Sequence, residues 1–158
     1  MVEIGSRAAS VAIAACNASP VLQRSGARLL LLPEFVDGRG ALAVAEERGM
    51  LPFPPHRFFL VYGVPAGQSR GNHAHYRCAQ LALAVHGAVT ITVDDGLATA
   101  EVLLDRPTHA LLIPPMVWSH EHSFTGDAVL LVVASHPYDP ADYIHDHAAY
   151  VRLVQGRR

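Results

Sequence analysis

Charge is scarce in this chain. Charged residues make up 16% of its 158 positions, and 12 basic against 14 acidic side chains leave a formal net charge of −2. No basic stripe results, so a nucleic-acid backbone is excluded as a partner on electrostatic grounds, and any anionic ligand falls to individual arginines. Cysteine is scarcer still, with Cys16 in an Ala-rich leader and Cys78 in an apolar stretch. Two such residues without CxxC or zinc-ribbon spacing exclude a disulfide framework and a zinc ribbon, and a reducing, cytoplasmic setting is the expectation. Apolar runs of membrane-spanning length are missing as well, which excludes a helical membrane span. Residues 1–25 also lack the positively charged start and long apolar stretch of a secretion signal, despite the alanines between positions 8 and 15. They are expected to form a poorly ordered extension ahead of a single domain over residues 26–158.

What the chain has in abundance is apolar residues, 51% of the total. One core of ordinary size fits this length, and the surplus is of the kind that a subunit interface absorbs. These residues fall in short runs divided by turn chemistry. The runs over 28–32, 41–46, 57–64, 78–85, 88–93, 98–104, 110–113 and 128–134 read as strands, the last buried on both faces. Between them Asp37-Gly38-Arg39-Gly40 and Asp94-Asp95-Gly96 read as turns, and Pro52, Pro54 and Pro55 as an extended entry. Helix is expected only after Pro140-Ala141-Asp142, in a short C-terminal segment through Tyr143 and Tyr150. Many short strands with Gly and Pro turns predict an all-β fold, best a double-sheet antiparallel jelly roll.

Chemistry concentrates in Arg70-Gly71-Asn72-His73-Ala74-His75. Strand side chains alternate faces, so His73 and His75 point one way and Ala74 the other. Two imidazoles aimed together into β-structure suit metal binding or proton transfer, because histidine titrates near neutrality. Cys78, in its apolar strand, is expected to be an inert packed thiol, and Asp94 and Asp95 to be hairpin residues.

An ordered series surrounds that hexad: Leu51-Pro52-Phe53, Arg57-Phe58-Phe59, Cys78-Ala79-Gln80, Val93-Asp94-Asp95-Gly96, Leu104-Asp105-Arg106-Pro107, Ile113-Pro114-Pro115-Met116-Val117-Trp118 and Asp142-Tyr143-Ile144. Over about residues 28–152 the chain thereby resembles the sugar 3,4-ketoisomerases of the cupin superfamily, the WxcM-like enzymes acting on dTDP-4-oxo-6-deoxyhexoses. The resemblance implies a cupin-type jelly-roll homodimer that isomerises a nucleotide-linked 4-keto sugar to its 3-keto isomer in deoxysugar biosynthesis, without metal or organic cofactor.

Moving a carbonyl from C4 to C3 requires removing the C3 proton, passing through an enediol, and delivering a proton to C4. His73 is the expected base, and His75 either a proton shuttle or a stabiliser of the developing oxyanion. Gln80 is expected to hydrogen-bond a histidine or a sugar hydroxyl, and Arg57 and Arg70 to bind the diphosphate through paired donors. Trp118 either stacks on a base or sugar ring or packs against the strand rim. Phe59, Ser119 and His120 complete the expected substrate-binding set. Phe59 stands where the resembling enzymes carry an active-site tyrosine, and Tyr62 replaces that hydroxyl only if a bulge turns it inward. Tyr76 and Ser119 also depart from the pattern, which favours lysine at the first position and a charged residue at the second. His120 or His122 supplies the missing proton, or both belong to a turn after the strand.

Three other functions share the same residues. His73, His75 and His120 together would make the metal site of a cupin oxygenase or lyase, with Gln80 in place of that class's glutamate. A sugar-nucleotide binder without catalysis would tolerate Phe59. An epimerase would share the first proton abstraction and return the proton to the same carbon.

Overall fold

The computed structural model describes residues 2, 3, 7–47 and 49–157. In chain order they form β1 (Val2–Glu3), α1 (Arg7–Asn17), α2 (Pro20–Ser25), β2 (Arg28–Leu31), β3 (Glu34–Asp37), β4 (Gly40–Ala43), β5 (Arg57–Tyr62), β6 (Arg70–His75) and β7 (Gln80–His86). Then follow β8 (Val89–Asp94), β9 (Thr99–Leu104), β10 (His109–Ile113), β11 (Trp118–His122), β12 (Val129–Ala134), a 3-10 turn at Pro140–Asp142, β13 (Tyr143–Ile144) and α3 (His147–Gln155). Two five-stranded sheets, ordered β2-β10-β7-β12-β5 and β13-β6-β11-β8-β9, make the cupin-type double-sheet jelly roll, and β1-β3-β4 form a small third sheet. Every pairing is antiparallel.

Register decides which side chains meet between the sheets. Leu130 and Val132 of β12, Ala82 and Ala84 of β7 and Leu111 of β10 turn inward from one sheet, and Ile91, Val93, Val102 and Leu104 from the other, to form one apolar core. The opposite face of the first sheet is apolar too. There Leu131 and Val133 join Leu81, Leu83 and Leu112 in a second cluster, as expected of a strand apolar on both faces.

Two differences from the sequence expectation stand out. Residues 7–17 and 20–25 are helical instead of forming an unordered extension, and Ile13, Val21 and Leu22 enter the core. The alanines read as a featureless leader are the strongest helix formers, and Asn17 fixes the end of α1 by exchanging two hydrogen bonds with Leu29 of β2, at 2.7 and 2.9 Å. Left-handed Gly26 ends α2. The second difference is β11: residues 118–122, not among the expected strands and with a turn as one reading of His120 and His122, form the central strand of their sheet, between β6 and β8. The C-terminal helix is present, capped by Asp146 through Ala149 N–H, and it seats Tyr150 against Trp118.

Leu130 is fully buried at the centre of the core. Leu130→Ala is expected to lower the unfolding free energy by about 3 kcal/mol, read from urea titrations at equal slope. A loss under about 1 kcal/mol would mean that the sheets do not pack through this strand.

Candidate active site

A bulge builds the site. Along β6 and β11 the partners run Ser119↔His73 and then His120↔Gly71, so Asn72 is the extra residue. Gly71 and Asn72 both take left-handed backbone, at φ 73 and 58°, which glycine and asparagine adopt most readily. Directly cross-strand residues share a face, so Ser119 lies on the face of His73, and the regular β11–β8 register adds Glu121, Val93 and Ile91 to it. From the facing sheet, Arg57 and Gln80 share the inner side because each is opposite Ala134, and Phe59 follows two residues on from Arg57. Phe59, Arg70, Gly71, Asn72, His73, Gln80 and Glu121 line one cleft of about 360 Å³.

His75 is buried, with 6% of its surface exposed, and both of its ring nitrogens are engaged. Nδ1 lies 3.1 Å from Asp142 Oδ2, and Nε2 lies 3.2 Å from Gln80 Nε2. Asp142 also accepts from Arg77 N–H at 2.9 Å, Cys78 N–H at 3.1 Å and Arg77 Nε at 3.3 Å. Burial works against its charge, but those donors hold its carboxyl below the usual carboxylate range. An ionised carboxylate only accepts, so His75 carries its proton on Nδ1 and Gln80 donates to Nε2. Burial first, and then the neighbouring His73, push the His75 pKa down to about 4 despite Asp142.

His73 sits at the cleft, half-buried, its ring 4.9 Å from that of His75 in an edge contact. Burial lowers its pKa too, a backbone hydrogen bond at Gly71 opposes the shift, and His145 adds to it. Tyr143 of β13 packs on both rings, with centroids 4.3 Å from His75 and 4.9 Å from His73. Arg57 places its guanidinium over Phe59 and Tyr138, 5.2 and 5.5 Å from the ring centres.

Other expected site residues lie elsewhere. Trp118 and His120 occupy the outer face, because they alternate with Ser119 and Glu121. Trp118 packs with Ala74, Ile144 and Tyr150, away from the cleft. His120 packs beside His122, its ring tilted and 4.8 Å away, and His122 bonds Thr92 Oγ1 at 2.9 Å. His73, His75 and His120 therefore do not converge, as a shared metal ion would require. Among the described residues, the potential ligands that do cluster are His75, Cys78 and Asp142, whose ligand atoms lie within 4.8 Å of one another. Hydrogen bonds from His75 and two backbone N–H groups already close that cluster around the carboxylate. Cys78 is a buried, packed thiol. Tyr62 points outward from a β5 in regular register, so no bulge turns its hydroxyl toward the cleft.

Sequence reasoning assigned no role to Asp142 or Glu121. The alternation in Trp118-Ser119-His120-Glu121-His122 was a signal for Glu121, since read as strand it puts Ser119 and Glu121 on the face opposite both histidines. Nothing local marks Asp142, whose partners are 64 to 67 residues away. Glu121 is deeply buried, and burial pushes its pKa up to about 7 against the pull of Arg70.

A family model described as "FdtA: WxcM-like, C-terminal" matches residues 25–155. A TDP-4-oxo-6-deoxy-alpha-D-glucose-3,4-oxoisomerase of Aneurinibacillus thermoaerophilus is 31% identical over 127 residues, 80% of this chain and 91% of that protein. The crystal structure of QdtA, a sugar 3,4-ketoisomerase from Thermoanaerobacterium thermosaccharolyticum in complex with TDP, is similar with a TM-score of 0.80 and 30% identity, covering 83% of this chain and 96% of that one. A histidine-to-asparagine variant of the same enzyme, in complex with TDP-4-keto-6-deoxyglucose, gives a TM-score of 0.80 at 29% identity over 83% and 95% of the two chains.

The shifts of His75 and Glu121 bear on stability in opposite directions. His75 is easier to protonate when unfolded, so its contribution is present above about pH 6.5 and lost as pH falls toward about 4. Glu121 is easier to protonate when folded, so its contribution is present below about pH 4.5 and lost as pH rises through about 7. Glu121→Gln removes the second effect, and its urea midpoint is expected to rise more steeply than that of the wild type between about pH 4.5 and 6.5. Parallel profiles would contradict the Glu121 shift.

Proposed function

The chain belongs to the WxcM-like family that the FdtA model describes, and on that premise we propose that it converts a dTDP-linked 4-keto-6-deoxyhexose into its 3-keto isomer. The observation that carries this reading is the unequal pair of histidines at the cleft. A C3 proton beside the C4 ketone is acidic enough for a neutral imidazole to remove, provided that the imidazole has a free nitrogen. His75 has none to offer, because Asp142 and Gln80 occupy both. His73 lines the cleft, and burial keeps it in the neutral, basic form at neutral pH. His73 is therefore the base, taking the proton from C3 and returning it at C4, while His75 is the rigid wall against which its ring is set. Arg70, exposed at the mouth, and Arg57, whose Nε has no partner among the described residues, supply guanidinium donors for the diphosphate. The redox setting that suits the free thiols Cys16 and Cys78 is the reducing cytoplasm.

The outer face of the first sheet supports a homodimer. Phe58 and Tyr62 are 72 and 71% exposed on it, Leu60 and Val85 are exposed as well, and Phe58 and Val85 border an apolar hollow of about 740 Å³. An exposed apolar surface of this kind is rare on a monomer, and a second copy of the same face would cover it. Phe58→Glu combined with Tyr62→Arg is expected to halve the mass measured by light scattering at equal concentration. A wild-type protein that already runs at the mass of one chain would remove the homodimer.

For the reaction itself, dTDP-4-oxo-6-deoxyglucose followed by proton NMR in deuterated water is expected to yield a 3-keto product, with His73→Asn losing on the order of 10²-fold or more in rate. Unchanged substrate with the wild-type protein would contradict the assignment, and so would full activity in the variant.

A further inference from the structure

We propose that the Glu121 carboxyl is a catalytic group of this cleft, passing a proton to the substrate's carbonyl oxygen and recovering one from the neighbouring hydroxyl. The inference deepens the isomerase reading and rests on it. An enediol route needs an acid for the oxygens as well as a base for the carbons. As His73 takes the C3 proton, the C3–H pair becomes the C3=C4 bond, and the C4=O pair moves to O4, which takes the proton of Glu121. The enediol O3–H proton then passes to the Glu121 carboxylate, its electron pair completes C3=O, and the C3=C4 pair takes the proton of the His73 imidazolium at C4. Both side chains end as they began.

Three features of the cleft point to this residue. Glu121 faces the same interior as His73, as the β11 register requires, and lines the same cleft. The bulge makes room for its carboxyl: a Cβ built on Gly71 would stand 2.8 Å from Oε2 and 3.0 Å from Oε1, so any other residue there would crowd the group. Phe59, the aromatic that borders this cleft from β5, has no hydroxyl to donate. Among the groups around Glu121, β6 contributes the charge of Arg70 and the imidazole of His73, while Phe59 of β5, Gln80 of β7 and Ile91 of β8 do not titrate. The upward shift caused by burial keeps a large share of Glu121 protonated near neutral pH, the form a proton donor needs.

The rival donor is the hydroxyl of Tyr143, whose ring packs on both histidines. The test compares pH profiles of kcat for the wild type, Glu121→Gln and Tyr143→Phe with dTDP-4-oxo-6-deoxyglucose, using TDP affinity as the control for folding. In the wild type, kcat should fall as pH rises through about 7, where Glu121 loses its proton. Glu121→Gln should lose that limb and on the order of 10²-fold in kcat with TDP affinity unchanged, while Tyr143→Phe keeps the limb. A Glu121→Gln protein with wild-type kcat and limb, or a limb lost in Tyr143→Phe, overturns the inference while leaving the isomerase reading intact. A wild-type protein that does not turn over the sugar overturns both. Should Glu121→Gln fail to bind TDP, Glu121→Asp decides: a reduced kcat with a displaced limb supports the role, and an unchanged profile contradicts it.

Discussion

One buried carboxylate holds the site in order. Asp142 enters from the turn before β13, closes hydrogen bonds with two backbone N–H groups after β6, and accepts from His75. A charge taken out of water is costly unless such donors surround it, and here they keep it ionised. Its consequences run outward through one atom at a time. An acceptor-only carboxylate puts the His75 proton on Nδ1, the remaining Nε2 becomes an acceptor, and Gln80 must donate to it. Gln80 at the start of β7 is thus tied to the end of β6, which joins the two sheets across the interior. A histidine fixed at both nitrogens cannot turn toward a substrate, so the unequal surroundings of His75 and His73 follow from Asp142.

The second determinant is the backbone at Gly71 and Asn72. Had β6 and β11 paired without the extra residue, one-for-one alternation would have carried a single facing pattern along the strand. The bulge at Asn72 sets Arg70 opposite Glu121, on the face of His73, where one-for-one alternation would have turned it away. The resulting cleft has the His73 imidazole and the neutralisable Glu121 carboxyl at its wall, the Arg70 cation at its entrance and an apolar side at Phe59. Such a set suits a substrate carrying a ketone at one end and a diphosphate at the other.

Much of this was legible in the sequence. Turn chemistry and short apolar runs gave the two-sheet architecture, and the single intervening alanine in His73-Ala74-His75 gave the shared inward face. Strand boundaries moved by a residue or two, as at β5 and β7. What could not be read depended on contacts far along the chain. Trp118 follows two prolines and invites a ligand-stacking role, yet the partners that cover it, Tyr150 and Ile144, lie in the C-terminal segment. His120 has the spacing of a metal ligand but the wrong facing, which only the unbroken β11–β8 pairing reveals. The helices of residues 7–25 escaped because alanine carries little hydrophobic periodicity even where it favours helix.

His75 is held at both ring nitrogens, whereas His73 lines the cleft. Nitrogen-15 NMR of the ring nitrogens in wild-type protein, followed from neutral to acid pH, tests this arrangement without substrate. Here His75 should remain a neutral Nδ1–H tautomer until about pH 4. If His75 takes up its proton near neutral pH, or shows the Nε2–H tautomer there, Asp142 does not set its state, and the assignment of His73 as the base fails with it.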